Sequence, residues 1–153
     1  MTDLKTYDPK GVSLAIGGFL ITGYEPGTFI TLERQSNTFD FSPGPDGEHI
    51  RTRKNDQSAL MTLSLRQVAA SNLVLSHLAR RDESDNDGVV ALILSDVAAP
   101  ETRYAAGKAY IEKPAGAIFG DSPQHRQWII RLVEVPMVHG GTPGTSVLAG
   151  TLT

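Results

Sequence analysis

The chain has 153 residues, no cysteine, a hydrophobic share of 40% and a formal net charge of −3. This length fits one domain with a real core, and the missing cysteines exclude a disulfide framework and thiolate chemistry. The acidic balance argues against a protein that wraps nucleic acid through a basic surface, because such binding releases phosphate counterions. The N-terminus has no apolar signal-peptide core. No apolar run approaches the ~20 residues that span a bilayer, so we predict a soluble protein without a membrane anchor.

The first 30 residues predict an arm followed by a hairpin. Residues 1–10 are polar and are predicted to form an N-terminal arm. Residues 12–16 are mostly apolar, and a Gly-Gly pair separates them from a second short run over 19–22. This pattern predicts a tight hairpin. The glycine spacings of phosphate-binding loops are absent, so no nucleotide-binding loop is predicted.

Residues 28–34 and 60–66 alternate apolar and polar side chains with period 2, as half-buried strands do. The apolar members are predicted to face the core: Ile30, Leu32, Met61, Leu63 and Leu65. The polar members are predicted to share the opposite face: Thr31, Glu33, Thr62, Ser64 and Arg66. A register slip of one residue would move every apolar side chain into water, so the assignment of faces is strongly specified.

A long polar arm, residues 35–59, separates these two strands. Within it, Pro45 can preset a turn and Gly47 can adopt a positive φ. Loops of this length in compact domains are usually functional or disordered. Two interpretations stay open, a flexible surface excursion and an arm that contacts a neighbouring subunit. The residues singled out for the second interpretation are Phe39, Asp46, Glu48, Arg51, Arg53 and Lys54.

One helix of roughly three turns is predicted over residues 71–81, with Ser71 as its N-cap. An acidic turn follows, and its spacing fits a calcium loop poorly because Leu94 stands where the bidentate Glu should be. We therefore predict a solvated turn. The densest acidic patch of the chain lies here, and it is the candidate partner for the basic residues of the arm. The patch consists of Asp82, Glu83, Asp85 and Asp87.

The second half of the chain predicts further strands. Residues 89–94 form a continuous apolar run, typical of a strand buried on both faces. After a turn-rich connection over 95–101, residues 104–113 predict a strand with Lys108, Tyr110 and Glu112 on one face, and residues 128–135 predict another. Residues 138–153 are predicted to be a C-terminal tail. The fold class is therefore mainly β, a β-sandwich or barrel with one mid-chain α-helix packed outside and the polar arm between two central strands.

The sequence carries no recognisable catalytic or metal-binding motif. The four histidines are scattered without metal-ligand spacing; they are His49, His77, His125 and His139. No G-x-S-x-G nucleophile motif is present. His77 is predicted to be a partly buried packing residue and Trp128 to be core. We predict that the chain is not an enzyme and needs no cofactor or metal.

Five motifs carry a family resemblance. They are K-G-V at 10–12, G-Y-E-P-G-T-F-I at 23–30, G-P-D-G-E at 44–48, R-T-R-K-N-D-Q-S at 51–58 and T-L-S-L-R-Q at 62–67. Together they resemble tail tube proteins of contractile-tailed bacteriophages. The likeness extends over residues 10–138 and includes no catalytic signature.

The resemblance implies a single tail-tube domain over residues 1–153, similar in fold to the type VI secretion tube protein. Such subunits form hexameric rings that stack into a hollow tube, which holds the tape-measure protein and conducts DNA into the host cell. The implied partners are other copies, the sheath outside, and the baseplate and tail terminator at the tube ends. The implied location is the virion, assembled in the host bacterial cytoplasm.

Under this interpretation, the polar face of the two alternating strands lines the lumen and the arm bridges subunits. Two alternatives stay open. One is a secreted tube subunit of a phage-derived or type VI injection system. The other is a small β-barrel ligand-binding module, which would need exposed aromatic side chains for stacking although aromatics are only 7% of the chain.

Overall fold

The computed structural model describes residues 4–141, and its main element is one seven-stranded antiparallel sheet. The strands are β1 (Val12–Ile16), β2 (Phe19–Leu20), β3 (Ile30–Arg34), β4 (Phe39–Pro43), β5 (His49–Arg53), β6 (Ala59–Arg66), β7 (Val90–Asp96), β8 (Ala99–Lys113) and β9 (His125–Leu132), and the helix is α1 (Ser71–Asp85). A short 3-10 turn (Pro9–Gly11) precedes β1. The strand order in the sheet is β2-β1-β7-β8-β9-β6-β3, and β4 and β5 form a separate two-stranded sheet. The predicted mainly β fold with one helix is confirmed.

The sheet curls towards a barrel. Ile21 N donates to Leu14 O in β1, and two residues later Gly23 O accepts from Arg66 N in β6. Ile21 thus continues β2, and two residues of about 7 Å plus one strand spacing of about 5 Å bring it within about 12 Å of β6. In a flat sheet β2 and β6, five places apart in the strand order, would be about 24 Å apart. The sheet must therefore bend so that its two edges approach each other. This curvature gives it one enclosed apolar face and one outer face.

The β1–β2 hairpin was predicted and is confirmed. Its turn consists of Gly17 and Gly18, with φ angles of 60° and 86°. Tight two-residue hairpins of this kind need positive φ at both turn positions, and glycine adopts that conformation without strain.

Strands β3 and β6 alternate as predicted. Leu32 pairs with Met61 and Thr31 pairs with Thr62. Met61, Leu63 and Leu65 are fully buried. The prediction that both strands are central is wrong, because β3 lies at the edge of the sheet and only β6 has a strand on each side.

Strands β7 and β8 differ from the prediction. Strand β7 was expected to be buried on both faces, but only Leu92 and Leu94 are buried and Ile93 is 36% exposed. An antiparallel sheet needs only one covered face, so an apolar run does not imply two. The expected long connection is short, because β8 already begins at Ala99 and a register irregularity follows Ser95.

Helix α1 is longer than predicted and begins differently. Its cap position is Ala70, and the Ser71 hydroxyl accepts a hydrogen bond from Thr22 N at 2.9 Å instead of capping the helix. The helix continues to Asp85 and ends at Asn86, which has a left-handed φ of 54°. Acidic residues do not break a helix, so the pattern change after residue 81 was misread as its end.

Buried contacts hold α1 against the apolar face of the sheet. Leu75 and Ala79 are buried in the core. Trp128 in β9 is also buried, as predicted, and its Nε1 donates to Asn72 Oδ1 at 3.0 Å. His77, expected to be partly buried, is exposed, and it lies beside the groove between α1 and the β1–β2 hairpin.

The segment after β9 crosses back over the sheet. Val135 is buried, its N–H donates to Gln57 O at 3.1 Å, and its carbonyl accepts from Arg34 Nη2. Thr102 and Gly140 exchange two hydrogen bonds, at 2.8 and 3.1 Å. Residues 1–3 of the predicted N-terminal arm and residues 142–153 of the predicted tail lie outside the described residues.

Candidate assembly surfaces

The polar arm contains a β-hairpin that the sequence analysis did not predict. Strands β4 and β5 pair antiparallel from Phe39 with Arg53 to Pro43 with His49. The predicted turn between them is confirmed, since Gly47 has a φ of 89° and its N–H donates to Gly44 O at 3.2 Å. Asp46 and Glu48 lie in this turn region. Every residue of both strands is exposed.

One face of the hairpin is aromatic and cationic. Residues that pair directly across an antiparallel ladder share a face, and this aromatic-cationic face consists of Phe39, Phe41, His49, Arg51 and Arg53. The Arg51 guanidinium lies 4.2 Å from the centre of the Phe39 ring and that of Arg53 lies 5.9 Å from it. Phe41 stacks on His49 with ring centres 5.2 Å apart.

The opposite face of the hairpin is mainly polar. It carries Asp40, Ser42, Ile50, Thr52 and Lys54. Lys54 Nζ lies 3.2 Å from Asp40 Oδ2, with both side chains about half exposed. Such an exposed pair contributes ~0–1 kcal/mol. Within this chain, the basic residues predicted to bind a neighbour therefore already have local partners, an aromatic ring or a carboxylate.

The exposed aromatic rings mark the hairpin as a contact surface. Phe41 is 67% exposed and Phe39 is 37% exposed. An isolated two-stranded hairpin is marginally stable in water, and contiguous apolar patches on a surface mark interaction sites. Sequence reasoning selected Phe39 but missed Phe41 and His49. The F-x-F and R-x-R spacings on either side of the turn were the signal that could have found them.

Asp56 ties the two sides of the arm together at its base. Its carboxylate accepts from Ser58 N at 3.0 Å and from the Ser36 hydroxyl at 2.9 Å. The hydrogen bonds from Ser58 and then from Ser36, together with the positive charge of Arg131, lower the pKa of Asp56. Hydrogen bonds to the ionised carboxylate favour the ionised form. These two hydrogen bonds, the Asp56 clamp, therefore need an ionised Asp56.

We expect Asp56→Asn to loosen the hairpin at neutral pH. The pKa of Asp56 is lower in the folded state than in the unfolded state. The stabilisation that the clamp contributes is therefore fully present above the unfolded pKa of about 3.9, and it is lost as the pH falls through the folded pKa. Hydrogen exchange monitored by NMR should show several-fold lower protection factors for the Gln35 and Lys54 amides, which bond across the arm. Asp46→Asn is the matched control, because it removes a charge from the exposed turn of the hairpin and not from the base of the arm. Equal protection in Asp56→Asn and the parent chain at pH 7 would contradict the clamp.

The residues predicted to line a lumen lie on the face of the sheet opposite the core. Thr31 and Glu33 are exposed in β3, and Thr62 and Ser64 are half-buried in β6, which ends at the exposed Arg66. In the neighbouring strand β9, Ile129, Gln127 and His125 stand beside Thr62, Ser64 and Arg66. The structure thus brings the five residues together on one wet surface, away from α1.

A bidentate ion pair, which sequence reasoning missed, neutralises part of this outer face. Arg131 Nε lies 3.0 Å from Glu112 Oε1, and Arg131 Nη2 lies 3.2 Å from Glu112 Oε2. Paired fork geometry makes this a stronger contact than a single exposed pair. Both side chains alternate with buried neighbours along β8 and β9, but their adjacency depends on strand register.

The predicted acidic patch lies at the C-terminal end of α1. Asp82, Glu83 and Asp85 are within the helix, and Asp87 follows it. Asp82 accepts from Gly88 N at 3.2 Å, and Asp87 lies 3.5 Å from Arg81 Nε. Among residues 4–141, no ion pair joins this patch to the hairpin. Their predicted pairing would therefore have to occur between two copies.

In the described part of the chain, no group of three or more His, Asp or Glu side chains is placed to hold a metal ion. No helix among residues 4–141 has the length and apolar character to cross a membrane.

Comparisons with known proteins point to phages. No family model matches the chain. It is similar to structural protein ORF10 of Pseudomonas phage KPP10, with 29% identity over 157 residues that cover 97% of this chain and 90% of the phage protein. Its fold is similar to that of the anti-feeding prophage cap, a tube-terminating cap, with a TM-score of 0.60, 11% identity, and coverage of 90% of this chain and 94% of that chain.

Both matches are structural components of a phage or a prophage. The phage relative is a structural protein, which points to a non-enzymatic role, as the sequence predicted. At 11% identity the likeness to the cap concerns the fold alone.

Proposed function

We propose that this chain is a subunit of a contractile phage tail tube. Hexameric rings of it stack into a hollow tube that holds the tape-measure protein and conducts DNA into the host. The observation that carries the proposal is the two-sided sheet, which has one apolar face covered by α1 and one polar face containing Thr31, Thr62 and Ser64. A ring of such sheets can present every polar face to a central channel.

The chemistry of the outer face suits a channel for DNA. A strongly basic wall would hold DNA through counterion release. Here Arg131 is bound to Glu112, and Glu33 lies on the same face as Arg66. These pairs of opposite charge limit the attraction of the wall for phosphate, and its threonine and serine side chains offer hydrogen bonds.

The remaining parts of the proposal follow from this orientation. The side that carries α1 faces the sheath, and the rings at the tube ends contact the baseplate and the tail terminator. The hairpin bridges subunits, with Arg51, Arg53 and Lys54 directed towards the acidic patch of a neighbour. Residues 1–10 and 138–153 belong to the same single domain of residues 1–153. Assembly takes place in the host bacterial cytoplasm and yields a virion component.

The similarity to a tube-terminating cap favours a second candidate, a ring that closes the end of a tube. Both candidates need lateral contacts around a ring, but only the tube subunit needs contacts that repeat along the axis. A secreted tube of a related injection system would form the same polymer. Negative-stain electron microscopy of the purified, concentrated protein separates the first two, because a tube subunit gives long tubes and a cap gives single rings. Monomers under all assembly conditions would refute both.

Thiol labelling tests which face lines the channel. The chain has no cysteine, so Thr31→Cys and Thr62→Cys each introduce a single reactive site. In intact tubes we expect both to react with small thiol reagents and to resist a bulky, externally added one. Ser84→Cys on α1, where Ser84 is exposed and does not line the groove beside the helix, should react with both sizes and is the control. Protection of Thr31→Cys from both sizes would show that the face is packed, and labelling by both sizes would show that it points outward.

A further inference from the structure

An apolar groove separates α1 from the β1–β2 hairpin. It has a volume of about 470 Å³. Its walls are mostly aliphatic and aromatic: Ile16, Phe19, Leu73, Val74, Leu78 and Val90. Phe19 and Leu73 are largely exposed at its rim. The groove is therefore an exposed apolar surface in addition to that of the β4–β5 hairpin. It is distinct from the polar face proposed to line the channel.

Carboxylates follow the groove along α1, although none of them lines it. Val74, Leu78 and Arg81 line it at helical spacing, and the same stripe continues to Asp85 one turn later. Arg81 is engaged by Asp87, whose carboxylate is 3.5 Å from it. Glu83, by contrast, borders a separate cavity between α1 and the segment after β8. Of the acidic patch, Asp85 and Asp87 are therefore the members placed beside the groove.

The aromatic-cationic face of the β4–β5 hairpin offers apolar rings to an apolar groove and cations to the carboxylates that follow it. The basic side chains that line the groove itself are His77 and Arg81, and Arg81 is already paired with Asp87. The hairpin face offers two exposed rings, Phe39 and Phe41, next to two guanidinium groups, Arg51 and Arg53. Aromatic rings and arginine are the groups most often found at the centre of protein interfaces. The hairpin does not line the groove of its own chain, so the face that fits it must come from another copy.

We propose that the groove between α1 and the β1–β2 hairpin of one copy receives the aromatic-cationic face of the hairpin of a second copy. Phe41 enters between Phe19 and Leu73, and Arg51 or Arg53 reaches Asp85 and Asp87. This inference rests on the proposed function and names the acceptor of its hairpin contact. The contact joins two different surfaces, and head-to-tail contacts of this kind generate rings or filaments.

Cysteine crosslinking between copies tests the contact. Phe41→Cys and Leu73→Cys are made as separate proteins. One of them carries a small tag, so that a dimer of the two different variants is recognised by its size. The two variants are then co-assembled in the presence of excess wild-type protein. The control replaces Phe41→Cys by Ile50→Cys, which lies on the opposite face of the hairpin and is similarly exposed. After mild oxidation, we expect at least about tenfold more mixed dimer for Phe41→Cys than for the control, because a disulfide needs Cα atoms within about 7 Å.

The outcomes separate the inference from the proposed function. Tubes that form normally but give no more mixed dimer with Phe41→Cys than with Ile50→Cys overturn the docking site and leave the tube proposal intact. If the wild-type protein itself does not polymerise, the proposed function fails and the inference fails with it. Dilution into wild-type protein keeps the test decisive even if a cysteine variant alone cannot assemble.

Discussion

Replacement of residues 39–54 by a short Gly-Ser linker is expected to abolish polymerisation and to leave the domain folded. The hairpin forms its own two-stranded sheet, apart from the seven-stranded one. None of its strand residues is buried, so its removal takes no side chain out of the core. The linker only has to rejoin β3 to β6, which already pair directly from Arg34 with Ala59 to Ile30 with Leu63.

The measurement has two parts, one for folding and one for assembly. The unfolding midpoint in urea, followed by circular dichroism, should change little, whereas electron microscopy should show no tubes or rings at concentrations where the full chain assembles. Ile50→Ser is the matched control, since it lies on the mainly polar face of the hairpin, and it should still polymerise. Normal tubes from the deletion variant would show that the hairpin is not an assembly element.

The sequence predicted those parts of the fold in which the burial of one face produces a regular alternation of apolar and polar residues. In β6, the alternation of Met61, Leu63 and Leu65 with polar residues reflects one dry face and one wet face. The same reasoning located β9 through Trp128 and Ile130. Because side chains alternate along a strand, a half-buried strand records its orientation in its own sequence.

The β4–β5 hairpin escaped prediction for the same physical reason. Both of its faces are exposed in the single chain, so no contrast between core and solvent marks its strands. The prediction that strand β7 is buried on both faces failed for the opposite reason. The outward residues of β7, Ala91 and Ile93, are apolar, and they concealed the alternation.

The candidate surfaces were predictable as faces but not as contacts. Alternation placed Thr31, Thr62 and Arg66 on one wet face, and the structure has them there. The sequence could not pair Arg131 with Glu112, or place Arg51 over the ring of Phe39, because both contacts depend on register between strands. The groove beside α1 needs the fold itself, since its walls come from residues 16–19, 73–81 and 90.

Trp128→Ala is expected to lower the free energy of unfolding by about 3–5 kcal/mol, the usual cost of truncating a large buried aromatic side chain. Trp128 is 4% exposed and stands opposite Leu63 in β6. Its indole N–H donates to Asn72 Oδ1, and Asn72 Nδ2 donates to Arg66 O at 2.8 Å. One side chain therefore fills the core and also connects α1 to two strands.

The control for this substitution is Trp128→Phe, which keeps most of the apolar volume but loses the second ring and the hydrogen bond to Asn72. It should cost about 1–2 kcal/mol, and urea unfolding followed by circular dichroism measures both variants. At 2–4 °C per kcal/mol for a chain of this size, Trp128→Ala should lower the melting temperature by roughly 6–20 °C. A loss below about 1 kcal/mol for Trp128→Ala would contradict its role as the anchor of α1. Because α1 forms one wall of the groove proposed to receive the hairpin, a shift of the helix should also weaken polymerisation at temperatures where the variant remains folded.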